Sequence, residues 1–268
     1  MRVLFLGDIV GRSGREGLNR HLNQIIIDHN IDFTIVNGEN AAGGFGITEK
    51  ICNEFYTAGV DAITTGNHLW DQKEISSYID KDHRLLKPYN SAEGTPGVGY
   101  NIFNNEDNDK IAVINLMGNV FMKAQNENPF QKIDEVISKI HNEKSIKFIF
   151  VDFHAEATSE KVAMGHHLNG RVTAIVGTHQ HIPTADACIL SKGTAYQTDA
   201  GMCGDYNSVI GMDKDNSINR FFKKKSTKHF PAIGEASLCG VIVECDVETG
   251  LAKNIENFIY GGELKNSH

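Results

Sequence analysis

His179 and His181 follow the apolar run 172–176 in the segment Gly177-Thr-His-Gln-His-Ile-Pro-Thr-Ala-Asp186. If the backbone stays extended there, side chains at i and i+2 leave on the same side, and both imidazoles reach one small volume beyond a strand end. That is a metal-ligand spacing, although a His-x-His pair taken alone is more often two surface or hydrogen-bonded histidines. Four other apolar runs end in the same chemical set: 3–6 leads to Asp8, 33–36 to Glu39 and Asn40, 60–65 to Asn67 and His68, and 148–151 to His154. Carboxylate, amide and imidazole donors without thiolate suit Mn, Fe or Zn. The set exceeds what one ion needs, so the simplest arrangement is two divalent ions sharing a bridging carboxylate. Such a pair stabilises the attacking and leaving oxygens of an in-line displacement at phosphorus and lowers the pKa of a bound water.

Each residue also has an ordinary reading. Asp8 could cap a helix, Glu39 could sit in a turn, Asn67 could be a turn amide, and His68 and His154 could be packed imidazoles. What weighs against these readings is that five strand ends deliver such residues together, at the edge where ligands gather in parallel α/β sheets.

The elements that must position them follow from periodicity. The run 3–6, the glycine-rich loop 7–14 and a helix with Leu18, Leu22, Ile25 and Ile26 on one face form the start of an α/β unit. Thr48 is placed to cap a second helix stopped by Gly59, and Asp71 with Glu74 has the capping-box form for a third, carrying Ile75, Tyr78 and Ile79. After a Gly- and Pro-rich stretch at 88–99, a strand at 110–116 behind the polar turn 104–109 reads as a hairpin opening a second sheet. Pro129 starts a helix with Ile133, Val136, Ile137 and Ile140 on one side, and Thr158 is placed to cap a shorter one that closes near Gly170. Beyond residue 176 the pattern is strand-like and antiparallel in character, at 195–198, 238–245 and 255–260. No repeat or linker divides the chain, so one domain over 1–268 is expected.

The 268 residues are 40% hydrophobic, enough for a full core, and the formal charge of −8 argues against broad capture of nucleic acid or acidic lipid. Lys223-Lys-Lys225 with Lys228 is one basic cluster and reads as a solvated loop. Five cysteines without CxxC spacing indicate no disulfide framework and a reducing compartment. No apolar run reaches the ~18 residues of a membrane span, so a cytoplasmic location is expected, with self-association left open. The glycines at 7, 11 and 14 match neither a phosphate loop nor a dinucleotide fingerprint, whereas Gly43-Gly-Phe-Gly46 could shape the mouth of a substrate site.

Gly7-Asp8, Gly66-Asn67-His68 and Thr178-His179-Gln-His181 resemble the calcineurin-like metallophosphoesterases. Together with Asn37-Gly-Glu-Asn40, Asp152-Phe-His-Ala-Glu-Ala-Thr-Ser-Glu-Lys161 and Thr198-Asp-Ala-Gly-Met202, the chain resembles their YmdB-like bacterial branch along nearly its whole length. The resemblance implies an αββα sandwich of two mixed sheets flanked by helices. It also implies that Asp8, Glu39, Asn40 and His181 hold one ion while Glu39, Asn67, His154 and His179 hold the other, with His68 as proton donor. Val10 stands where the wider superfamily usually has a histidine, and Glu39 where it has an aspartate. The activity implied is metal-dependent hydrolysis of a small-molecule phosphodiester, chiefly 2′,3′-cyclic nucleoside monophosphates and more weakly 3′,5′-cyclic ones. The rivals are a dinuclear amidase or peptidase and a non-catalytic nucleotide- or partner-binding regulator.

Overall fold

The computed structural model describes residues 1–123, 126–143, 145–222 and 229–264, and the basic cluster at 223–228 lies outside them. In chain order the strands and α-helices are β1 (Arg2–Leu6), β2 (Asp8–Ile9), α1 (Gly11–His29), β3 (Phe33–Asn37), α2 (Glu49–Ala58), β4 (Ala62–Thr64), α3 (Ile75–Tyr78), β5 (Tyr100–Asn104), β6 (Lys110–Met117), α4 (Pro129–His141), β7 (Ile146–His154), α5 (Thr158–Leu168), β8 (Ala174–Thr178), β9 (Cys188–Ile189), β10 (Ala195–Gln197), β11 (Met202–Asp205), α6 (Lys214–Phe221), β12 (Ala236–Cys245) and β13 (Ala252–Tyr260). One sheet runs β2-β11-β12-β1-β3-β4, with β13 also on β12, and the other runs β5-β6-β7-β8-β10-β9.

Strand alternation builds the layers. Val3 and Phe5 of β1 join Phe33 and Ile35 of β3 and, from the other sheet, Ile111, Val113, Phe148, Phe150, Ala174 and Val176. Those side chains therefore fill the space between the sheets, where the Phe5 and Phe150 rings lie 4.8 Å apart. Burying one such ring contributes roughly 1.5–3 kcal/mol. Leu4 and Leu6 point the other way, against Leu18, Leu22 and Ile25 of α1 and Phe55 of α2. Ala112 and Ile114 likewise turn outward to Ile133, Val136 and Ile140 of α4 and Met164 of α5. The result is the four-layer αββα sandwich that the resemblance implied. In both sheets a run of neighbouring strands is parallel, β1-β3-β4 and β6-β7-β8.

Several local expectations change. β10 pairs parallel with β8, because the loop after β8 crosses back before re-entering the sheet; β12 and β13 are antiparallel as expected. β8 begins at Ala174 and ends at Thr178, closer to His179 than the apolar run suggested. Thr48 does cap α2, accepting from the Ile51 N–H, but the residue before α5 is Ala157 and Thr158 is already helical without a cap bond. Asp71 does not cap α3 either. It closes a 3-10 turn, Leu69–Asp71, and its carboxylate is turned back to His68.

Candidate metal centre

At the C-terminal edge the layer between the sheets changes from apolar to polar. Asn37, Thr64, Asn115, Asp152 and Thr178 each come two residues after an inward-facing apolar side chain of β3, β4, β6, β7 and β8, and all five are buried. Asp152 accepts from Asn37 Nδ2 (2.9 Å), from the Thr178 hydroxyl (2.7 Å) and from the Thr64 hydroxyl. Asn115 exchanges two 2.9 Å bonds with the Thr65 backbone. This polar floor ties the two sheets together directly beneath the strand-end loops.

The loops bring together every residue singled out by type. Glu39 Oε1 lies 3.2 Å from His154 Nε2, which is also 3.0 Å from Asn67 Oδ1 and 3.0 Å from His179 Nδ1. The donor atoms of Glu39, His154 and His179 all fall within 4.8 Å of one another. Beside them Asn40 Nδ2 faces three acceptors, Glu39 Oε1 at 3.1 Å, His181 Nε2 at 3.2 Å and Asp8 Oδ1 at 3.4 Å. Asp8 Oδ2 accepts from the His179 N–H, 171 positions away in sequence. His68 stands at the edge of the group, its backbone N–H on Glu39 Oε2 at 3.0 Å and its Nδ1 2.7 Å from Asp71.

The tautomers follow from the partners on the far side of each ring. The Thr178 hydroxyl donates to Asp152, so it accepts from His154 Nδ1–H at 2.9 Å and leaves Nε2 facing inward. The Ile210 carbonyl can only accept, so His181 carries its proton on Nδ1 and turns the Nε2 lone pair inward. Glu156 accepts from His179 Nε2 at 3.0 Å, which leaves the Nδ1 lone pair facing His154. Outer hydrogen bonds of this kind are what orient histidine ligands toward a metal.

The electrostatics match an acceptor-rich cavity. Burial opposes charge on His154, but Glu39, Asp8 and Asp152 push its pKa up to about 9. One proton on Nε2 then serves three acceptors, in the place a cation suits better. Burial and the adjacent His154 push His179 down to about 3. Burial would raise Glu39, yet His154 and the His68 amide hold it at about 2. Asp8 is raised by burial, which outweighs the nearby histidines. Asn40 has two amide hydrogens for three acceptors, so that half of the cluster is also short of positive charge. Tested on its donors, the cluster fits divalent metal.

Gly66 makes this approach feasible. A Cβ there would meet the His154 ring and the Glu39 carboxylate, so the residue before Asn67-His68 must have no side chain. His179 and His181 do not leave an extended backbone on one side as the i, i+2 spacing predicts: both adopt left-handed backbone, φ 105° and 67°, and face different neighbours. A residue without glycine's freedom adopts that region only where its surroundings enforce it. The supporting residues are less visible in the sequence than the ligands. Asp152 was signalled by alternation, since it shares a strand face with Phe148, Phe150 and His154, whereas nothing local marks Glu156 as the partner of His179.

Glu39, His68, His179 and His181 open into a cleft of about 910 Å³ that Phe45, Ile182, Ile210 and Met212 also line, within the ~300–1,000 Å³ usual for small-molecule sites. A cleft of about 930 Å³ on the outer side of α1 and α2 contains none of these residues. Among the described residues no helix is long and apolar enough to cross a membrane.

The family model for YmdB-like protein matches residues 4–258. The chain is 45% identical to the 2′,3′-cyclic-nucleotide 2′-phosphodiesterase of Bacillus subtilis (strain 168), over 97% of each chain. A crystal structure of a hypothetical protein from Thermus thermophilus superposes with a TM-score of 0.89 at 36% identity, covering 97% of this chain and 99% of that one. The structure of a novel phosphatase of Mycoplasma pneumoniae gives the same TM-score and identity, covering 97% and 93%.

Proposed function

The chain belongs to the YmdB-like protein family, and from that premise we propose that it is a metal-dependent phosphodiesterase acting on 2′,3′-cyclic nucleoside monophosphates, and more weakly on 3′,5′-cyclic ones. The observation that carries this reading is the inward convergence of three imidazole nitrogens with the buried Asp8 and Glu39 carboxylates beneath an open cleft. Asp8, Glu39, Asn40 and His181 would hold one divalent ion, Asn40 through its amide oxygen with the side-chain amide turned over from its Nδ2-inward orientation, and Glu39, Asn67, His154 and His179 a second, with Glu39 common to both. Oxygen and imidazole donors without thiolate favour iron or manganese and also accept zinc. Such ions supply positive charge for the phosphoryl oxygens and acidify the attacking water.

The remaining work falls to the chain's own groups. Asp71 accepts from His68 Nδ1–H, so the proton His68 can give is the one on Nε2. That proton goes to the ribose 2′ oxygen as its bond to phosphorus breaks and a water oxygen bonds to phosphorus, releasing its own proton to solvent and leaving a 3′-monophosphate. Glu156 and the Ile210 carbonyl keep His179 and His181 aimed.

The test is hydrolysis of cyclic nucleotides and bis-p-nitrophenyl phosphate by the chain loaded with Mn, Fe or Zn, with the product identified as 3′- or 2′-phosphate. Glu39→Gln should abolish turnover. Cleavage of amide substrates with no phosphodiester turnover under any metal would transfer the site to the amidase reading.

A further inference from the structure

The cleft that contains Glu39, His68 and His179 continues to Ser217 of α6 and to His229. Ser217 is 4% exposed, and its Oγ, like His229 Nδ1, is a buried atom without a hydrogen-bond partner among the described residues. Buried polar atoms are nearly always paired, so two orphans in one cleft indicate groups that find their partner on a ligand. Phe45 touches both His229 and His68 and so links this end of the cleft to the metal centre. Its ring lies edge-on to His68 at 5.0 Å and 34° from parallel with His229 at 6.1 Å.

We propose that this end of the cleft is a nucleobase subsite: the base lies against the rings of Phe45 and His229, and its polar edge pairs with Ser217 Oγ and His229 Nδ1. The inference rests on the phosphodiesterase reading for its orientation. If His68 serves the leaving ribose oxygen, the base on that same ribose extends from His68 toward Phe45. Burial, with Arg220 nearby, holds His229 below the usual histidine range, so it faces the cleft as a neutral ring with one donor and one acceptor. Ile182, Ile210 and Met212 add apolar surface. Stacking on an aromatic ring tolerates any base, while paired edge contacts discriminate among them.

The test is equilibrium binding to the full metal-loaded chain of four nucleoside 3′-monophosphates against the base-free methyl riboside 3-phosphate. At least one nucleotide should bind about tenfold or more tightly than the base-free ligand. His229→Ala should reduce that ratio about tenfold. Ser217→Ala, which changes little volume and so guards against misfolding, should reduce it about fivefold for the base it contacts. Equal binding of base-free and base-bearing ligands to the unaltered chain, or a ratio untouched by both substitutions, overturns the subsite. Turnover of bis-p-nitrophenyl phosphate, measured alongside, separates the two readings. Base discrimination without turnover leaves the subsite standing and removes the phosphodiesterase, whereas turnover without base discrimination removes the subsite alone.

Discussion

Lys161 of α5 and Asp199 form a 2.8 Å ion pair in which neither side chain reaches solvent. The same Asp199 carboxylate oxygen accepts the Gln180 backbone N–H at 3.1 Å, and Lys161 Nζ also reaches Gln180 Oε1 at 3.3 Å. The pair therefore grips the one residue between His179 and His181, both of which hold left-handed backbone.

Removing one partner leaves the other charge buried and the histidine loop untethered. Lys161→Met is expected to cost about 3–5 kcal/mol of stability, the usual penalty for breaking a buried pair. It should also lower metal content, although Lys161 contributes no donor to the cluster. Denaturant unfolding together with elemental analysis checks both effects.

Taking away the ions tests the cluster as a whole. Dialysis against a chelator should abolish hydrolysis and lower the melting temperature, since an ion bound at a hundredfold excess over its Kd adds about 2.7 kcal/mol. His179→Ala should bind fewer metal equivalents than the unaltered chain. Retention of two equivalents in that variant would count against its assignment as a ligand.

His68 and Asp71 should separate chemistry from metal binding. His68→Ala is expected to lower kcat by about 10²–10⁴-fold, the range for a general acid, with metal content unchanged. Asp71→Asn should lower kcat by less, because the ring remains and only its orientation and charge support weaken. A fall in metal content in either variant would place His68 among the ligands instead.

Gly66→Ala is a prediction made by space alone. The added methyl would enter the volume of the His154 ring and the Glu39 carboxylate. Overpacking of this kind costs about 1–3 kcal/mol, and here it should also displace two donors. Thermal unfolding and metal content report the two consequences separately.

Much of the fold was legible because its causes are local. The apolar face of α4 at Ile133, Val136, Ile137 and Ile140, the Thr48 cap and the hairpin of β5 and β6 each depend on residues a few positions apart. A local motif misleads where a distant or competing partner takes the side chain, as Asp71 turns to His68 rather than to a helix end.

The sequence by itself determined that strands would alternate with amphipathic helices, and that Asp8, Glu39, Asn40, Asn67, His68, His154, His179 and His181 would stand at strand ends, since side-chain period and residue type suffice for both; the sandwich of two covered sheets came from the family resemblance. Only the tertiary structure decided which of those residues meet, which ring nitrogen each histidine turns inward, and that Lys161, Asp199, Glu156 and the Ile210 carbonyl hold them there. Those relations join positions as far apart as Asp8 and His179, and no periodicity along the chain encodes a distance across the gap between two sheets.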